Sequence, residues 1–130
     1  MSRRILLIED NEQNRYLVRF LLEDAGFAVD CANDGSSGVE MAIAHTPDLI
    51  LLDIQLPEMD GYHVSRILRG IESLRRVPIV AVTSFAMTGD REKAFAAGCD
   101  GYLEKPIDPE TFVEDVTAFF DSNPSPSDTP

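Results

Sequence analysis

Short runs of branched aliphatic residues alternate along this chain with longer stretches of helical period. Arg4-Ile5-Leu6-Leu7-Ile8, Phe27 to Ala32, Asp48 to Asp53, Pro78 to Val82 and Gly101 to Glu104 read as five strands. In the third, Leu49-Ile50-Leu51-Leu52 has no polar alternate, the habit of a strand covered on both faces in a parallel sheet. The intervening stretches predict helices. The first starts at Asn11, turns Leu17, Phe20 and Leu21 inward, and closes at Gly26. The second follows the turn Asn33-Asp34-Gly35, buries Val39, Ala42 and Ile43, and ends before Pro47. Asp60 caps a third with Val64, Ile67, Leu68 and Ile71 inward. A shorter, Ala-rich fourth runs through Arg91, Ala94, Phe95 and Ala97 to Gly98. Asp108-Pro109 opens a fifth, facing inward with Phe112, Val116, Phe119 and Phe120.

Strands and helices in strict alternation imply right-handed crossovers and one sheet between two helical layers. The expected fold is α/β, a flavodoxin-like (βα)5 doubly wound parallel sheet in the order 2-1-3-4-5. Residues 1–121 form the expected single domain; residues 122–130, rich in Ser, Pro and Asp, read as a disordered tail.

Charge narrows the function. With 23 acidic against 11 basic residues the net charge is −12, which disfavours direct nucleic-acid or anionic-lipid binding. The longest apolar runs are strand-sized, too short for a membrane. Met1-Ser2-Arg3-Arg4 lacks a signal-peptide layout, and Cys31 and Cys99 stand far apart among apolar or small residues, as reduced packed thiols would. A cytoplasmic location is the expectation.

In a parallel sheet every strand ends on the same edge. Strands one, three, four and five therefore bring Glu9 and Asp10, Asp53, Thr83 and Lys105 to one crevice. Three crowded carboxylates raise one another's proton affinity, and a hard divalent cation relieves this. Mg²⁺ suits a few carboxylates plus retained waters. Asp10 and Asp53 are the expected direct ligands, with the Gln55 carbonyl as third protein ligand and Glu9 acting through water. Asp53 beside Mg²⁺ and the Lys105 ammonium is placed to receive a phosphoryl group, with Thr83 donating to one of its oxygens.

These residues carry a family resemblance. Ile8-Glu9-Asp10-Asn11, Leu52-Asp53-Ile54-Gln55-Leu56-Pro57-Glu58-Met59-Asp60-Gly61, Val82-Thr83-Ser84 and Tyr102-Leu103-Glu104-Lys105-Pro106 together resemble a response-regulator receiver domain over residues 3 to about 121. Ala81 to Met87 is similar to receivers of hybrid kinases and of DivK-type single-domain regulators. The resemblance implies transfer from a phosphohistidine, on a sensor kinase or a histidine phosphotransfer protein, to Asp53. It implies slow self-hydrolysis and a cis Lys105-Pro106 peptide. It marks Gln55 and Phe85 as flanking the mouth where family members tune phosphoryl lifetime. Lys105 is expected to pair with Asp53 at rest. Thr83 would move toward the phosphoryl group, and Tyr102 would exchange an outward ring for an inward one. A downstream protein would dock on helix four, strand five and helix five, roughly Thr88 to Phe120.

Other readings fit less well. An aspartyl-phosphate phosphohydrolase needs a second acid near its nucleophile, yet Gln55 stands two beyond Asp53 and no cap domain is present. A dinucleotide fold would carry a glycine fingerprint where Asp10-Asn11-Glu12-Gln13-Asn14 stands. A receiver excised from a hybrid kinase or transcription factor would have identical site chemistry. His45 and His63 lie on helices away from the acids, and Met41, Met59 and Met87 read as packing residues.

Overall fold

The computed structural model describes residues 3–84 and 89–122. Phe85, Met87, Thr88 and the tail beyond Ser122 lie outside the described residues. The elements are β1 (Arg4–Ile8), α1 (Glu12–Asp24), β2 (Ala28–Ala32), α2 (Gly35–Ala44), β3 (Leu49–Asp53), α3 (Gly61–Arg69), a 3-10 turn (Glu72–Leu74), β4 (Ile79–Thr83), α4 (Asp90–Ala96), β5 (Gly101–Glu104) and α5 (Phe112–Ser122). The strands pair in parallel in the order β2-β1-β3-β4-β5, the flavodoxin-like arrangement expected from the alternation.

The pleat sorts the core into two layers. Leu6, Ile8, Ile50, Leu52, Ile79 and Ala81 face one way and meet Ala42 of α2, Val64 and Leu68 of α3 and Ala94 of α4. Ile5, Leu7, Leu49, Leu51, Val80 and Val82 face the other way, toward Val18 and Leu22 of α1 and Phe112 and Val116 of α5. Every residue of β3 and β4 is buried, which explains their unbroken apolar runs.

Local chemistry sets the helix starts. Asn11, Asp34 and Asp60 each accept an N–H three residues on, at 2.9, 2.7 and 2.9 Å, and so cap α1, α2 and α3. Gly26 and Gly98, both at φ 99°, follow the ends of α1 and α4. Asp108-Pro109 forms a turn ahead of α5 rather than its first residues. The Asp108 carboxylate takes the Glu110 N–H at 3.0 Å, and its carbonyl takes that of Phe112 at 2.9 Å.

Two helix faces differ from the sequence expectation. Phe20 is 57% exposed and Ile43 55% exposed, where both were expected inside. On α1 the buried pair is Val18 and Leu22, one turn apart, with Leu17 and Leu21 at the margins. On α2 the buried residues are Gly35, Gly38 and Ala42: a Cβ on Gly38 would come within 2.4 Å of the Ile8 side chain, so the helix is seated by small residues. Phe95 also turns outward, at 42% exposed. Met41 and Met59 pack against the core, and both cysteines are free thiols.

Candidate functional site

The register brings the strand ends level. Ile8 lies beside Leu52, Asp53 beside Val82 and Thr83 beside Glu104. Glu9 and Asp10 leave β1 and Lys105 leaves β5 at the same edge, so Glu9, Asp10, Asp53, Thr83 and Lys105 are gathered as the topology predicts. Glu9, Asp53 and Thr83 are 3, 3 and 1% exposed; Asp10 is exposed. One oxygen from each of Glu9, Asp10 and Asp53 can be chosen so that all lie within 4.8 Å of one another.

Lys105 Nζ stands 2.7 Å from Glu9 Oε1 and 3.4 Å from Asp53 Oδ2. The expected ion pair with Asp53 is present, and the resting ammonium leans closer still on Glu9. The other Glu9 oxygen accepts the Asn11 N–H at 3.3 Å, and Asp53 Oδ1 accepts the Gln55 N–H at 3.0 Å.

These contacts divide the two acids. Burial opposes ionisation of Glu9, but hydrogen bonds with Asp53 and Lys105 and the lysine charge outweigh it and hold its carboxyl below the ordinary value. Asp53 is pushed up from 3.8 to about 7 by burial, then by the hydrogen bond and charge of Glu9; Lys105 and the Gln55 N–H oppose this without reversing it. Of the two acids, Asp53 is the one that favours its proton. A divalent cation among these oxygens would replace it, so the donor set fits Mg²⁺.

Several contacts that shape the site escaped the sequence reading. Arg15 Nη1 donates to the Glu9 and Asp10 carbonyls, both at 2.9 Å, and so pins the loop that carries the acids. A basic residue in the first turns after an acidic pair was the available signal. Gly61 packs beneath the site: a Cβ there would fall 2.6 Å from the Asp53 carbonyl oxygen. The Gln55 carboxamide crosses to β4, where Nε2 donates to Thr83 Oγ1 and Oε1 accepts the Ser84 N–H at 3.1 Å. Between Gln55 and Gly61 the chain turns through Glu58 at φ 65°. The Lys105-Pro106 peptide is cis.

Tyr102 is half-buried and packs against the core layer that includes Ala94, rather than standing outward. His45 and His63 are exposed on α2's end and α3, outside this group.

A family model described as the response regulator receiver domain matches residues 5–117. The chain is 41% identical over 119 residues to the polar-differentiation response regulator DivK of Brucella ovis, covering 92% of this chain and 97% of that protein. The DivK of Brucella anthropi is 40% identical over the same coverage. Among solved structures, the chemotaxis protein CheY4 of Vibrio cholerae superposes with TM-score 0.88 at 27% identity, covering 92% of this chain and 99% of that one. The receiver domain of a sensor histidine kinase from Pseudomonas aeruginosa PAO1, described with a magnesium ion coordinated in its active-site cleft, gives TM-score 0.85 at 36% identity over 93% and 99%.

Proposed function

The chain belongs to the response-regulator receiver domain family, and from that premise we propose that Asp53 accepts a phosphoryl group from a phosphohistidine on a sensor kinase or histidine phosphotransfer protein. The observation that carries this reading is the gathering of Glu9, Asp10 and Asp53 with the Lys105 ammonium and the Thr83 hydroxyl at one sheet edge. Transfer breaks the phosphorus–nitrogen bond of the donor and forms a phosphorus–oxygen bond to Asp53, which must first be deprotonated. The imidazole nitrogen leaves with the bonding pair.

Asp10 and Asp53 would hold Mg²⁺ directly, with the Gln55 carbonyl as third ligand and Glu9 acting through water. The bound ion supplies charge neutralisation for the phosphoryl oxygens and favours the ionised nucleophile. Lys105 can move its ammonium from Glu9 toward those oxygens, offsetting charge from a second side. Thr83 supplies a neutral donor. Gln55 offers no proton transfer to a hydrolytic water, in keeping with a chain that modifies itself and slowly reverts rather than a turnover enzyme. The modified domain would then act through a protein partner on α4, β5 and α5.

The test is intact mass after incubation with acetyl phosphate. Wild type should gain one phosphoryl group in Mg²⁺ and none in chelator, and Asp53→Asn should gain none. Equal incorporation by the variant, or undiminished incorporation in chelator, would overturn the assignment.

A further inference from the structure

Gln55 reaches both halves of the site. Its backbone N–H donates to Asp53 Oδ1 at 3.0 Å, while its side chain spans to the end of β4. There the carbonyl end, Oε1, accepts from the Ser84 N–H at 3.1 Å and faces the Ser84 hydroxyl at 3.3 Å. A backbone N–H can only donate, so this contact fixes the amide's orientation and leaves Nε2 as the group donating to Thr83 Oγ1.

We propose that the Gln55 carboxamide is a resting-state latch, a positioning residue that holds Thr83 and Ser84 until a phosphoryl group on Asp53 draws the Thr83 side chain toward itself. This rests on the reading of Asp53 as phosphoacceptor and adds a restraint on the switch that the acidic cluster does not contain. A phosphoryl group brings acceptor oxygens and about −2 charge to the carboxylate whose Oδ1 already meets the Gln55 backbone. A hydroxyl can accept and donate at once, so the latch acts on the position of the side chain: drawing Thr83 toward that group pulls Oγ1 away from Nε2. The latch therefore opposes activation by the strength of the contact, and removing it favours the activated arrangement.

The experiment is a beryllofluoride titration at saturating Mg²⁺, following Thr83 and Ser84 by NMR. Gln55→Met keeps side-chain length and loses both amide contacts; Gln55→Asn keeps the amide but is too short to span. Both should bind beryllofluoride roughly 2- to 10-fold more tightly than wild type, the span of one hydrogen bond's net contribution. Before beryllofluoride is added, their Thr83 resonances should already be displaced toward the bound wild-type positions. In a Thr83→Val background the gain should vanish, because nothing remains to release.

A general disturbance of the mouth would weaken binding and ignore the residue at 83. Unchanged or weaker binding by both variants, or the same gain with Val at 83, overturns the latch and leaves Asp53 standing. A wild-type protein that takes up no beryllofluoride in Mg²⁺ overturns the Asp53 reading, and the latch with it.

Discussion

Asp53 and Glu9 pull on one proton, and the outcome sets how the protein responds to pH. Asp53 is raised from 3.8 to about 7 in the fold, mainly by burial and then by Glu9. A carboxyl raised on folding contributes stability fully present below its unfolded value and lost as pH rises through its folded value. Glu9 is lowered from 4.5, so its contribution is present above that value and is lost only in acid. From about pH 4.5 to 7 the Asp53 effect therefore governs this pair. In chelator the melting temperature should fall between pH 5 and 8, and Asp53→Asn should flatten that fall and melt higher at pH 8. Mg²⁺ should restore wild type most at the alkaline end, since it favours the ionised form. Thermal melts across pH decide this; an identical slope in Asp53→Asn would show that the acid is not strained. The gathering itself was legible in the sequence, because a parallel sheet sends every strand end to one edge. The lean of Lys105 toward Glu9 and the reach of the Gln55 amide were not. They depend on side-chain directions between elements distant in the chain, which no local pattern records.

At the scale of elements, the segment joining β3 to α3 leaves Asp53, the proposed nucleophile at the end of β3, and then folds back beneath it. The Gly61 N–H donates to the Ile54 carbonyl at 3.0 Å, and a Cβ on Gly61 would meet the Asp53 carbonyl oxygen at 2.6 Å and Ile54 Cα at 2.7 Å. Both are backbone atoms, so no side chain can swing aside. Gly61→Ala should cost about 1–3 kcal/mol, the range for overpacking. Because the displaced backbone is that of the proposed phosphoacceptor, phosphoryl uptake from acetyl phosphate should slow as well. Urea unfolding and the labelling rate test the two together; wild-type values in both would mean the loop absorbs a methyl freely. The sequence reading took Asp60-Gly61 as a cap and turn, and the cap is present. The close approach was hidden because it involves a strand end eight residues back. Helix faces were misread for a related reason. Phe20 and Ile43 have the hydrophobicity of core residues, but the sheet accepts α1 through Val18 and Leu22 and α2 through glycine and alanine. All five strands were legible to within a residue or so, β3 and β4 because burial on both faces leaves no such choice.

For the whole molecule, the question is how an event at Asp53 reaches a surface on the far side of β4. Thr83 ends β4 beside Glu104, and Tyr102 is two residues back along β5, paired with Ala81. Its ring packs against the same core layer as Tyr62 of α3 and Ala94 of α4. Tyr62 is pushed up to about 12, first by burial and then by the charge and hydrogen bond of Asp90, which opens α4. The two tyrosines and the start of α4 thus form one neighbourhood behind Thr83, the proposed switch hydroxyl. Since the Tyr102 ring is already half-buried, movement of Thr83 can cover only what remains exposed. Covering on the order of 40 Å² more would contribute roughly 1 kcal/mol, about a five-fold shift in a two-state equilibrium and less than a fully outward ring would give. We expect beryllofluoride to change the Tyr102 ring environment in wild type, together with amides of α4 and β5. Thr83→Ala should lose the ring change while still binding beryllofluoride. Partner affinity should rise by a factor of that same modest size. NMR of the ring, paired with binding to a cognate partner, decides between routes. A ring that stays fixed while binding is stimulated would mean the signal leaves through α4 directly, along the Tyr62–Asp90 contact, with Tyr102 serving only as packing.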